Sequence, residues 1–244
     1  MPKTFSILTA CYDNKRFLNQ YFHSVLSQQY ANLEIIFVDD CSTDGSLELA
    51  QSMNDPRLTV LSNNTKRYCS GTYANALSHA TGDICGVVDA DDVLAIGAVE
   101  KIVELYEKNP ELLYIYTQHH WCDENLNIQK KGVSGIPKRS FADAARQGQH
   151  AFSHWRTFLR RASEMGILFP EGLRYSVDKN LGFILEELGE GGFHPECLYY
   201  YRYYKGNMSL TAAKEQRTTT MTMSMAHEQL RRRKKVRNHS VRRI

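Results

Sequence analysis

"ICGVVDADDVLAIG" (84–97) is the stretch on which the reading of this chain turns. Ile84 to Val88 form a short apolar run of the kind a strand shows when both of its faces are buried. The run stops abruptly on Asp89, Asp91 and Asp92. Carboxylates this close repel one another, and burying any of them without a partner is costly. Acidic strand ends make sense in an open α/β sheet, where ligands bind beyond the carboxyl ends of the strands.

The pattern recurs upstream. "LEIIFVDD" (33–40) is another short strand ending on paired aspartates, and "FSILTA" (5–10) is a strand before it. Between them "KRFLNQYFHSVLSQQ" (15–29) puts Phe17, Leu18, Tyr21, Phe22, Val25 and Leu26 on one helical face. "STDGSLELAQSM" (42–53) opens on capping residues and predicts a short helix, followed by a strand at "LTVLSN" (58–63) and a helix around 71–80. "GAVEKIVELYEKNP" (97–110) is a helix stopped by Pro110, and "LLYIYTQ" (112–118) is a fifth strand. This alternation predicts an α/β fold, Rossmann-like, with a mostly parallel central sheet covered on both faces.

The second half is less periodic. "HAFSHWRTFLRRASEMG" (150–166) reads as helical in part, "DKNLGFILEELGEGG" (178–192) as a helix closed by glycines, and "PECLYYYRYYKGNMS" (195–209) as a strand and loop. The expected organisation is one domain over 1–210, with a first half (1–118) and a second half (119–210). A polar, then basic, arm over 211–244 follows.

Composition narrows the class. A chain of 244 residues can hold one sizeable core. No apolar run approaches the roughly 18–20 residues of a membrane span. "MPKTFSILTA" is too short in its apolar part for a secretory signal, so the expected compartment is cytoplasmic. Cys11, Cys41, Cys69, Cys85, Cys122 and Cys197 contain no CxxC pair and read as reduced structural thiols, with a zinc site or a catalytic cysteine as the other reading. The net charge of +3 conceals an asymmetry: residues 231–243 carry eight Lys and Arg and no acid, leaving 22 basic against 27 acidic residues elsewhere. The arm has three readings: a solvated end, a contact with an anionic membrane surface in which Met225 and Leu230 form a thin apolar stripe, or a nucleic-acid contact. The membrane reading would put the protein peripherally at the inner face.

Clustered carboxylates on a loop seat a hard divalent cation, which removes their repulsion and prefers oxygen ligands. The D-x-D spacing lets one side chain face a metal and another a hydroxyl. His119 and His120 with Asp123 make a weaker metal candidate, because adjacent strand residues point to opposite faces. His154 and Trp155 read as core packing or as lining for an acceptor pocket.

Taken in order, "SILTACYDNKRFLNQYFHSVLSQQYANLEIIFVDDCSTDGS" and "SGTYANALSHATGDICGVVDADDVL" resemble the family 2 glycosyltransferases with the GT-A fold, nucleotide-diphospho-sugar transferases. The likeness covers 4–118 well and 165–209 more loosely. It implies an inverting transfer of a sugar from a nucleotide-diphosphate donor, a UDP-sugar first, to a hydroxyl acceptor such as a glycan or lipid-linked saccharide, with Mn2+ or Mg2+ as cofactor. Carried over by position, Thr9, Ala10 and Tyr12 correspond to the wall around the nucleotide base. Asp40 matches the acceptor of the uracil imide, with Asp39 orienting the loop, and Lys66 or Arg67 reaches base or diphosphate. Asn75 and Ala90 fall among the donor-binding positions. Asp89 matches the ribose carboxylate and also counts toward the metal. Asp91 matches the metal ligand, and Asp92 supports the loop or caps a helix.

The likeness makes Asp178 the general base, although Val177 stands where the family's Glu-Asp pair has Glu. The other reading of Asp178 is a helix N-cap. Arg202 matches a phosphate-contacting arginine. Tyr204 stands where a histidine is common, with Lys205 beside it as a substitute charge. The tyrosine run around them also reads as a half-buried strand with aromatic faces. Two rivals stand beside this reading: a non-catalytic GT-A-like module that binds nucleotide or glycan, and a transferase whose acceptor is a modified base in nucleic acid. A nucleotidyltransferase would need a glycine-rich, basic phosphate loop after the first strand, and that loop is missing.

Overall fold

The computed structural model describes residues 3–234 and 240–244, with side chains described up to Arg231 and again from Ser240. In chain order the elements are β1 (Phe5–Cys11), α1 (Lys15–Leu26), β2 (Leu33–Asp39), α2 (Ser46–Gln51), β3 (Leu58–Ser62), α3 (Tyr68–His79), β4 (Ile84–Val87), β5 (Val93–Leu94), α4 (Ala98–Lys108) and β6 (Tyr114–Cys122). The second half continues with β7 (Ile128–Lys131), α5 (Phe141–Arg146), β8 (Arg156–Leu159), α6 (Ala162–Met165), α7 (Val177–Leu188), β9 (Gly191–Arg202), α8 (Met208–Thr211), α9 (Ala213–Lys234) and β10 (Val241–Arg243).

One sheet runs through the molecule in the order β10-β9-β6-β8-β4-β1-β2-β3, with β5 and β7 paired off its path. β3, β2, β1 and β4 are parallel neighbours, so the carboxyl ends of β1, β2 and β4 lie along one rim and bring both acidic clusters there. The apolar strands owe their place to burial: Phe5, Ile7, Leu8, Ile35, Phe37 and Ile84 are fully enclosed. The predicted face of α1 is the observed one, with Phe17, Leu18, Tyr21, Phe22 and Val25 buried. Gly97 enters α4 with φ 73°, a left-handed conformation that a side chain would strain. The central sheet is mostly parallel, as the alternation implied.

The second half departs from expectation at two points. The segment read as partly helical contains β8, an antiparallel strand between β4 and β6, and only Ala162–Met165 is helical after it. All four β8 residues are buried, so the strand has no alternation to betray it.

The segment read as an arm takes part in the fold. α9 packs against α5 and α7, and β10 adds a parallel strand beside β9. The buried residues of α9 include Thr220, Ser224 and Arg231, a helical stripe made of polar groups. They dock through hydrogen bonds. Ser176 Oγ pairs with Thr220 Oγ1 at 2.8 Å, Arg146 Nη1 donates to the Ser224 carbonyl at 3.2 Å, and His227 Nδ1 meets Glu187 at 2.6 Å. The rest of the basic run, 232–239, lies outside the described side chains.

The innermost tie is Arg231 to Glu186 at 3.1 Å, with Glu186 also accepting from the Phe141 N–H. Burial, only partly offset by Arg231, pushes the Glu186 carboxyl up to about 7. The folded state therefore binds this proton more readily than the unfolded chain, and stability falls as pH rises from the ordinary carboxylate range toward 7. Urea midpoints recorded from pH 5 to 8 should carry that slope, and Glu186→Gln should flatten it.

Candidate active site

At the rim, β4 ends and the chain turns through Asp89, Ala90, Asp91 and Asp92 into β5. The turn separates the three carboxylates. Asp89 accepts from Tyr73 Oη at 2.5 Å and from Arg156 Nη2 at 2.9 Å, so its charge is matched by a buried arginine from β8. Asp92 is fully buried and satisfied on both oxygens, by Tyr199 Oη at 2.9 Å and the Arg202 N–H at 2.6 Å. Its carboxyl is pushed well above the usual range by burial and by its acidic neighbours. Asp91 accepts from Tyr204 Oη at 3.0 Å on one oxygen, and its other oxygen takes no hydrogen bond from another described residue. Burial first, and the charge of Asp89 second, push it up to about 6.

Aromatic rings hold the loop from beneath. His154 is stacked between Tyr199 and Tyr201, with ring centroids 4.6 and 4.9 Å away. Burial, followed by the charge of Arg156, keeps its imidazole neutral by lowering its pKa well below the ordinary value. Tyr200 faces the other way, onto His120, so the tyrosine run alternates as a strand should. His119, on the opposite face from His120, lines the cavity above and is lowered to about 4, mainly by burial.

That cavity, about 850 Å3, brings together Ala10, Asp89, Ala90, Asp91 and Asp178. Asp178 lies in the first turn of α7, whose N-cap is Ser176, and it makes no capping bond. The capping reading of Asp178 is thereby corrected: among the described residues its carboxylate has no hydrogen-bond partner and faces the cavity. α9, the former arm, supplies Gln216, Arg217, Thr220 and Met221 to the same wall.

Other residues named from the sequence stand elsewhere. Thr9 is buried, with its hydroxyl paired to Tyr21 Oη at 2.6 Å, so its side chain faces the core and not a ligand. Tyr12 is exposed at the end of β1 with the Lys66 ammonium over its ring. Asp39 accepts from the Ser42 N–H at 2.9 Å and keeps its other oxygen buried without a partner. Asp40 accepts from the Arg67 and Tyr68 N–H groups, at 2.7 and 2.8 Å, and from Asn63. It holds the entrance of α3, which limits what it can offer a base. Asn75 supports this through Asn63 at 2.7 Å, and the Arg67 guanidinium pairs with Glu171. Lys205 is exposed, outside the cavity lining.

Arg202 is the largest displacement from expectation. It is fully buried, donating to the Asp91 carbonyl and to Gln20 Oε1, both at 2.6 Å. The arginine matched to a phosphate contact pins the acidic loop from behind.

Whether these residues fit a divalent cation can be judged from their donor atoms. Ligand atoms of Asp89, Asp92 and His154 lie within 4.8 Å of one another, but Asp92 is spent on Tyr199 and Arg202, and Arg156 already occupies Asp89. Asp91 fits better, because it lines the cavity with an unpaired oxygen and a charge raised in energy by its neighbours. The donors there are hard oxygens.

Sequence reasoning missed Arg156, Tyr73 and Tyr199. Only the tyrosine run carried a signal, in its spacing of two along β9.

Comparison with known proteins agrees with this geometry. The model of glycosyl transferase family 2 matches residues 6–166. A putative glycosyltransferase of Bacillus subtilis is 36% identical over 111 residues, covering 44% of this chain and 40% of that protein. A chondroitin synthase of Pasteurella multocida is 28% identical over 190 residues, covering 76% of this chain and 19% of the other. The chain thus spans well under half the length of these two relatives. Among solved structures, residues 1–349 of Staphylococcus aureus TarS with UDP-GlcNAc superpose with a TM-score of 0.72 at 16% identity, covering 92% of this chain and 66% of that one. A Pyrobaculum calidifontis mannosyltransferase with GDP-Man and Mn2+ gives 0.66 at 17%, covering 93% and 64%. The fold is therefore that of GT-A glycosyltransferases, and the chain belongs to glycosyl transferase family 2.

Proposed function

We propose that this chain is an inverting, metal-dependent glycosyltransferase that moves a sugar from a nucleotide diphosphate, UDP first, onto a hydroxyl acceptor such as a glycan or lipid-linked saccharide. The observation that carries the reading is a free carboxylate, Asp178, across one cavity from the split acidic loop. Asp178 takes the proton of the acceptor hydroxyl as its oxygen attacks the anomeric carbon, and the bond from that carbon to the diphosphate oxygen breaks on the opposite face. Asp91 would hold Mn2+ or Mg2+, which supplies positive charge to offset that developing on the leaving diphosphate, while Asp89 stays paired to Tyr73 and Arg156 beside it. Tyr204, in place of a histidine, orients Asp91 through its hydroxyl. Asp39, Asp40 and Tyr12 lie at the ends of β1 and β2, with Lys66 reaching over Tyr12 from the loop between β3 and α3, on the side assigned here to the nucleotide base.

The donor assignment is supported by a structural neighbour bound to UDP-GlcNAc and another bound to GDP-Man and Mn2+. Among the described residues no helix is long and apolar enough to cross a membrane. An anionic membrane surface or nucleic acid remains the proposed partner of the basic run, beside which Met225 and Leu230 are exposed on α9. A nucleotide bound to the native state raises the melting temperature. UDP with Mn2+ should therefore raise it by several degrees, UDP with EDTA by much less, and Asp91→Ala should erase the difference. Equal shifts with and without the cation would count against Asp91 as ligand.

A further inference from the structure

The charges lining the cavity do not balance. Its wall carries five Arg and Lys, namely Arg146, Arg156, Arg174, Lys179 and Arg217, against three carboxylates, Asp89, Asp91 and Asp178. The two innermost histidines, His119 and His154, are held neutral by burial. Arg156 is matched by Asp89, and Arg146 by Asp143 at 3.1 Å. Arg174 lies over the Tyr68 ring at the start of α3, 3.8 Å from its centroid, on the donor side. Lys179 and Arg217 have no acidic partner among the described residues. A divalent cation and the diphosphate of a donor offset one another, so a loaded donor side supplies neither of these two groups with an anionic partner.

Their position gives them a use. Lys179 follows Asp178 in the first turn of α7, and its ammonium lies 3.5 Å from Thr220 Oγ1. Ser176, the α7 N-cap, grips the same turn of α9 through Thr220 Oγ1 and, at 3.0 Å, the Gln216 carbonyl. Arg217 sits on that turn, so two cations from two different helices line the cavity wall that Asp178 also lines. The N-terminal end of α7 adds its own partial positive charge to the same spot. A concave wall focuses the field of its net charge on whatever enters, and a guanidinium paired with an ammonium suits a phosphate or carboxylate.

Building on the transferase reading above, we infer that the acceptor is a saccharide bearing an anionic group, phosphate or carboxylate, and that Arg217 and Lys179 bind that group beside Asp178. Charge-assisted bonds of this kind separate charged from neutral ligands by tenfold or more.

Calorimetric titration of the full chain, saturated with UDP and Mn2+ so that the donor side is filled, tests this with three probes: glucose 1-phosphate, glucuronate and methyl glucoside. At least one anionic sugar should bind about tenfold more tightly than methyl glucoside, and whichever does so names the anion. Arg217→Ala and Lys179→Ala should each remove most of that preference while leaving the affinity for UDP and Mn2+ and the melting temperature unchanged. Equal binding of all three probes, no binding of the anionic ones, or a preference that survives both substitutions overturns the inference. Loss of UDP affinity in either variant also overturns it, because the cations would then serve the donor. UDP binding is measured first on the same samples. Its failure in the wild type speaks against the donor reading, whereas intact UDP binding without anion preference speaks against the acceptor subsite alone.

Discussion

Asp178→Asn is expected to lower the transfer rate about a thousandfold while UDP and Mn2+ bind as before, since removing a general base costs roughly two to four orders of magnitude. The substitution keeps the shape and removes only the capacity to hold a proton. Paired with Asp178→Ala, it separates two jobs that an aspartate at a helix start can do. A capping aspartate accepts backbone N–H groups and stabilises by about 1 kcal/mol, a loss that alanine would show as a lower melting temperature and that asparagine, itself a good cap, would not. Asp178 accepts none, and Ser176 holds the cap position, so the melting temperature should stay put while the rate collapses. A radiolabelled donor assay and a thermal melt on the same preparations read both quantities. An unchanged rate would remove Asp178 from the reaction and assign the base to another group.

The second large effect concerns a residue outside the cavity. Arg202→Met should cost about 3 kcal/mol in a urea denaturation, within the range for breaking a buried charged network. The guanidinium is wholly enclosed, so solvent does not soften the loss. Two short hydrogen bonds disappear, to the Asp91 carbonyl and Gln20, and the carboxylates of Asp92 and Asp91 lose a positive charge that acts on both. The cation site should suffer as well, because the loop carrying Asp91 is fixed by those bonds. Mn2+-dependent UDP binding in Arg202→Met should therefore weaken even under conditions where the variant is fully folded. A phosphate-binding arginine would behave differently, losing UDP affinity with little change in the urea midpoint.

Much of this was legible in the sequence where residues speak for themselves. Apolar runs ending on acids identified two rim strands and both aspartate clusters, because a strand buried on both faces leaves no other reading for a sudden run of charge. The helical face of α1 was legible for the same reason: its period is hydrophobic. Legibility failed where burial is polar. The buried stripe of α9 is Thr220, Ser224 and Arg231, which no hydrophobic period can reveal, so the segment read as an arm. β8 failed for the opposite reason, being buried on every residue. Arg156 went unnoticed with it, and the partner of Asp89 was lost. Arg202 was read as a phosphate contact, whereas it lies buried behind the acidic loop, a matter of three-dimensional packing that the sequence does not display.

The docking of α9 has a consequence for how the molecule comes into being. The donor half is assembled from neighbours in the chain, β1 through β4 with their helices, and can condense as it leaves the ribosome. The acceptor wall cannot, because Arg146 finds the Ser224 carbonyl 78 residues further along, and Glu186 waits 45 residues for Arg231. During synthesis the nascent chain therefore passes through a stage in which β1 to β4 can pair while the acidic loop still waits for Arg156 and Arg202 and the wall beyond Asp178 is open.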